Sequence, residues 1–154
     1  MNLEHLRLLN VRGARIERGS GGEPEITWDD VAMMMLSMSR TASAYARYRY
    51  AGDLSEWHAI RRGMIATIYV SDEWERNPSE EYWETLIALG LKAFCSGHDL
   101  SQKEKAKAVG LKWWKATFER DYRTVIQLLD DYDHDLRDAI RMWNTRLHDE
   151  EVAG

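Results

Sequence analysis

Between Ser101 and Arg123 the chain carries seven cationic side chains, Lys103, Lys105, Lys107, Lys112, Lys115, Arg120 and Arg123, against three acids, Glu104, Glu119 and Asp121. That is a local excess of positive charge inside a protein whose formal net charge is −5. Ammonium and guanidinium groups at this density neutralise phosphates, with release of counterions. Trp113 and Ala116 lie among them and add an apolar surface suited to a base edge. The reading is contact with duplex DNA, in which Lys103, Lys105 and Lys107 hold phosphates. Lys112, Trp113, Lys115, Ala116, Arg120 and Arg123 are then offered to the groove.

Two helices must position these groups. Ser101-Gln102-Lys103-Glu104 has the pattern of a capping box, so a helix starts there. Gly110 supplies a positive-φ turn, and Ala106, four residues earlier, is small enough for two helices to cross closely. If residues 111–129 are helical, Leu111, Trp114, Phe118, Tyr122, Val125 and Leu129 form one apolar stripe, with Lys112, Ala116, Glu119 and Arg123 opposite.

Leu100-Ser101 through Glu104, Ala106 and Val109-Gly110-Leu111 resemble the helix-turn-helix of sigma-factor region 4 and of many bacterial and phage regulators, whose second helix enters the major groove. Three positions depart from that pattern. Lys105 stands where the motif has an apolar residue, Lys112 where a small polar cap is common, and Glu119 where a buried aliphatic is usual. With the basic-aromatic "YARYRYAG" upstream, the layout also resembles the phage late-gene antiterminators of the Q type. That resemblance implies a bacteriophage transcription regulator that lets host RNA polymerase read through terminators.

Other constellations are weaker. Arg47, Tyr48 and Arg49 mix stacking with phosphate binding and form a second candidate contact for nucleic acid or polymerase. Cys95 and His98 are too few for a zinc site. Asp131, Asp133 and Asp135 have the alternation of a calcium loop, but Leu136 and Met142 stand where such a loop requires Gly and Glu. His58 lacks a nucleophile in sequence reach, and there is no phosphate loop, HExxH or GxSxG. The residues call for no enzyme activity, cofactor or metal. A competing class is a helical protein-binding module, such as a phage inhibitor of a host protein, that uses the acidic face of Asp131, Asp133, Asp135 and Asp138. A DNA-packaging small subunit is a third.

The 154 residues, 44% of them hydrophobic and with 2 prolines, imply an all-α fold of five or six helices. A long helix or helix pair fills the carboxyl third. Residues 1–26, with "RGSGGEPE", read as a flexible arm, and residues 27–154 as one helical domain containing the helix-turn-helix at 100–123. The first helix is expected to run from Thr27 to Gly52, and the next to bury Trp57, Ile60, Met64 and Ile68. Ser79 and Gly97 should bound another. The lack of a membrane-length apolar run and the lack of a signal sequence point to a cytoplasm, which the resemblance to phage regulators implies is that of a bacterial host.

Overall fold

A computed structural model describes residues 1–10 and 25–153. Every regular element among them is helical, as the composition implies: seven α-helices and two 3-10 helices. The α-helices are α1 (Trp28–Met35), α2 (Arg40–Tyr50), α3 (Trp57–Tyr69), α4 (Asp72–Arg76), α5 (Glu80–Ser96), α6 (Gln102–Ala108) and α7 (Ala116–Ala153). The 3-10 helices are Leu3–Asn10 and Leu54–Glu56. No described helix is long and apolar enough to cross a membrane.

The chain divides into two compact units, Met1–Trp57 with Tyr132–Gly154, and His58–Asp131. This replaces the expected plan of an arm followed by one domain. Leu6 is fully buried in the first unit and Leu9 nearly so, so residues 3–10 belong to a core and not to a tether. Leu3, Leu6 and Leu9 recur every third residue, which lines them up on one face of a helix with three residues per turn. The "RGSGGE" part of the expected arm lies outside the described residues.

The same core takes Val31, Met34 and Met35 from α1, Ala46 from α2, and Leu136, Ala139 and Ile140 from α7. Thr27 caps α1 as expected: its hydroxyl accepts from the Asp30 amide at 3.3 Å, and the Asp30 carboxylate accepts from the Thr27 amide at 2.9 Å. The helix does not run on to Gly52, because two serines interrupt it. Ser37 donates its hydroxyl to the Met34 carbonyl at 3.0 Å, and Ser39 caps α2 by accepting from the Ala42 amide at 3.2 Å. Local side-chain bonds of this kind compete with helix continuation.

In the second unit α3 buries Ile60, Met64 and Ile68, and α5 buries Trp83, Leu86, Ile87 and Leu91. Ser79 caps α5 and Gly97 ends it at φ +67°, both as expected. Arg61 joins α3 to α5 through Glu80 at 3.6 Å and Glu84 at 3.5 Å. Up to Asp131, α7 contributes Tyr122, Val125 and Leu129 to the buried set. Gly90 of α5 meets α7 so closely that a Cβ there would lie 2.7 Å from Val125 Cγ1.

Candidate nucleic-acid interface

The basic segment lies wholly in the second unit. Its first half forms as the capping pattern requires: the Ser101 hydroxyl accepts from the Glu104 amide at 3.2 Å and opens α6. The Glu104 carboxyl is held below its ordinary range, chiefly by the Ser101 hydroxyl, with His98 assisting at 3.5 Å. At its far end α6 closes with paired backbone bonds: Leu111 N–H to Ala106 C=O at 2.8 Å and Gly110 N–H to Lys107 C=O at 3.2 Å. Gly110 takes φ +73°, the left-handed conformation such a closure needs.

The second half departs from the expected register. Helix α7 begins at Ala116 and not at Leu111, so residues 109–115 link the helices in place of a tight turn. The close of α6 has already engaged the Leu111 amide, and two adjacent indoles then part company. Trp114 turns inward, donates Nε1–H to Glu119 Oε2 at 2.6 Å, and packs its ring on Phe118 and Tyr122. Trp113 turns outward and is 72% exposed, with the Lys112 ammonium 6.0 Å from its ring centre. Leu111 is exposed as well, so the apolar stripe expected from residue 111 is buried only at Tyr122, Val125 and Leu129, with Trp114 and Phe118 half-buried.

Lys105 does not serve as the phosphate contact that the sequence suggests: only 5% of it is exposed, and its ammonium donates to Glu119 Oε2 at 2.9 Å and Oε1 at 3.2 Å. It also sits 4.3 Å from the centre of the Tyr122 ring, a cation–π contact that satisfies a further side of the charge. Glu119, read as outward-facing, is half-buried and takes Lys105, Trp114 and Arg123, the last at 3.2 Å. Burial by itself would raise its pKa. The bonds from Lys105 and Trp114 and the nearby cations outweigh burial and hold it below the ordinary value.

The remaining residues of the set are exposed: Lys103, Lys107, Lys112, Lys115, Ala116, Arg120 and Arg123. On α6, Lys103 and Lys107 are four apart and lie opposite the buried Lys105. On α7, Ala116, Arg120 and Arg123 share the face opposite Tyr122 and Val125. Arg120 lies 3.4 Å from Asp121, whose own carboxylate turns inward and accepts from the Tyr82 hydroxyl at 2.6 Å. Burial, and then the Asp121 bond, push the Tyr82 pKa up.

The second candidate, Arg47, Tyr48 and Arg49, lies in the first unit, and all three are half-buried. Arg49 is committed internally: its Nη1 donates to the Tyr45 hydroxyl at 2.7 Å and to Asp133 Oδ1 at 3.3 Å. The same Asp133 oxygen accepts from Tyr45 at 2.8 Å and Tyr50 at 2.7 Å, while Oδ2 accepts from Arg137 at 2.8 Å. Burial would raise the Asp133 pKa, but Arg137, Tyr50 and Tyr45 together lower it. Asp133 therefore leaves the acidic face expected around it, and Arg49 leaves the expected contact set. Among the described residues no group of side chains has the makings of a metal site.

Sequence patterning did not identify Asp133 or Glu119 as hubs, since a buried carboxylate is defined by partners far away in the chain. The only local hint at Glu119 was that it broke the apolar pattern. No protein-family model, curated protein or solved structure matches the chain.

Proposed function

We propose that this chain binds DNA through the exposed cations and indole of residues 103–123. The observation that carries the reading is charge without local compensation. Between Glu104 and Glu119 there is no acidic residue, and Lys107, Lys112, Lys115 and Trp113 all face solvent there. Arg120 and Arg123 extend the set along α7: both guanidinium groups are exposed, although each also lies against a carboxylate, Asp121 at 3.4 Å and Glu119 at 3.2 Å.

Each phosphate neutralised steepens the fall of log affinity against log salt by about 0.9 for duplex DNA. The test is binding of the full chain to sheared duplex DNA at two salt concentrations, beside the Lys112→Ala/Arg120→Ala/Arg123→Ala variant. Salt-sensitive binding that the variant loses supports the reading. No binding to DNA of either form, duplex or heat-denatured, at low salt overturns it and favours the helical protein-binding module. The narrower role, a phage transcription regulator that acts as an antitermination factor on host RNA polymerase, rests on the resemblance of the capped helix and its glycine to sigma region 4 and of the layout to Q-type proteins.

A further inference from the structure

We infer that Trp113 is a stacking platform for an unpaired base, so that the basic surface prefers single-stranded DNA to an intact duplex. This inference rests on the DNA-binding reading and adds the form of DNA to it.

The argument starts from the divergence of two neighbours. Trp114 buries its ring among Phe118 and Tyr122 and satisfies its N–H on Glu119, whereas Trp113 remains 72% exposed. Anchoring Trp114 leaves the adjacent indole projecting from the link. Lys112 places an ammonium 6.0 Å from the centre of the Trp113 ring, and Lys115 and Lys107 are exposed in the same acid-free stretch. An aromatic face beside exposed cations is the pairing that holds a nucleotide by its base and its phosphate together.

The backbone at this point selects the form of DNA. A groove is read by a helix or strand that presents side chains to base edges, and residues 111–115 are in neither conformation. In a duplex the faces of the bases are covered by their neighbours. An unpaired base offers a free face, and stacking on it is tolerant of sequence.

The test uses the full chain, a labelled oligo-thymidine strand and a hairpin duplex of matched charge, with Trp113→Ala and Trp113→Phe. The expected result is tighter binding of the single strand by wild type. Trp113→Ala should weaken single-strand binding about tenfold, weaken duplex binding several-fold less than that, and be rescued largely by Trp113→Phe. Unchanged unfolding midpoints establish that both variants fold. A Trp113→Ala effect that is absent, or equal on both forms, overturns the inference while leaving the DNA-binding reading intact. Failure of wild type to bind either form at low salt overturns both.

Discussion

Lys105 and Glu119, 14 residues apart in sequence, meet at 2.9 Å, with side chains only 6% and 19% exposed. They occupy the two places where the sequence breaks the apolar pattern of a helix-turn-helix, and each break compensates the other. Breaking a buried pair from one side strands a charge and costs about 3–5 kcal/mol, whereas replacing both partners by apolar groups is often neutral. Glu119→Leu is therefore expected to lower stability strongly and Lys105→Met/Glu119→Leu to recover most of the loss, as read by urea denaturation.

The approach of α5 to α7 depends on a missing side chain. A Cβ on Gly90 would sit 2.7 Å from Val125 Cγ1, with Ile126 Cδ1 3.6 Å away. Alanine in place of a mid-helix glycine gains about 1 kcal/mol of propensity, and overpacking costs about 1–3 kcal/mol. Gly90→Ala should therefore lower the melting temperature. Gly90→Ala/Val125→Ala should melt above the value expected if the two losses simply add, because it removes the clash.

At Gly110 the constraint is conformational. Its φ is +73° and nothing lies within 4 Å of an added Cβ, so a substitution meets strain but no clash. Gly110→Ala should cost about 1 kcal/mol, and Gly110→Asn less, since asparagine tolerates the left-handed region better. Chemical denaturation of the two variants measures the difference.

Stability in acid should follow Asp133. Its folded-state pKa lies below the ordinary value of 3.8, so it stabilises the fold fully above that value and progressively less as pH falls through the folded one. Asp133→Asn should flatten the part of the stability profile below about pH 4. Tyr45 and Tyr50 have the opposite sign: their raised pKa values imply stabilisation below their ordinary value of 10.0 that is lost as pH rises past it. Tyr45→Phe/Tyr50→Phe should reduce that alkaline sensitivity, as followed by unfolding at stepped pH.

Much of the fold was legible because its signals are local. The caps at Thr27, Ser79 and Ser101 and the glycine stops at 97 and 110 all lie where short-range chemistry puts them. The break between α1 and α2 was missed because Val31, Met34, Met35, Met38 and Ala42 keep helical spacing across it, and the spacing concealed what Ser37 and Ser39 do. The candidate site was legible in its charges and its first cap. Its second helix starts more than one turn later than helical phase predicts, because the inward turn of Trp114 depends on Glu119 and that of Glu119 on Lys105, a chain of dependence that helical phase cannot represent.

The first unit is discontinuous in the chain, and this fixes an order of events on the ribosome. Its core needs Leu136, Ala139 and Ile140, which are synthesised after every residue of the second unit. Arg49 must wait 84 residues for Asp133. The segment that bears the basic surface can thus emerge and assemble while the leucines of residues 3–10 still lack part of their cover. A nascent chain stopped short of Tyr132 would hold Leu6 and Leu9 without the Leu136, Ala139 and Ile140 that complete their core.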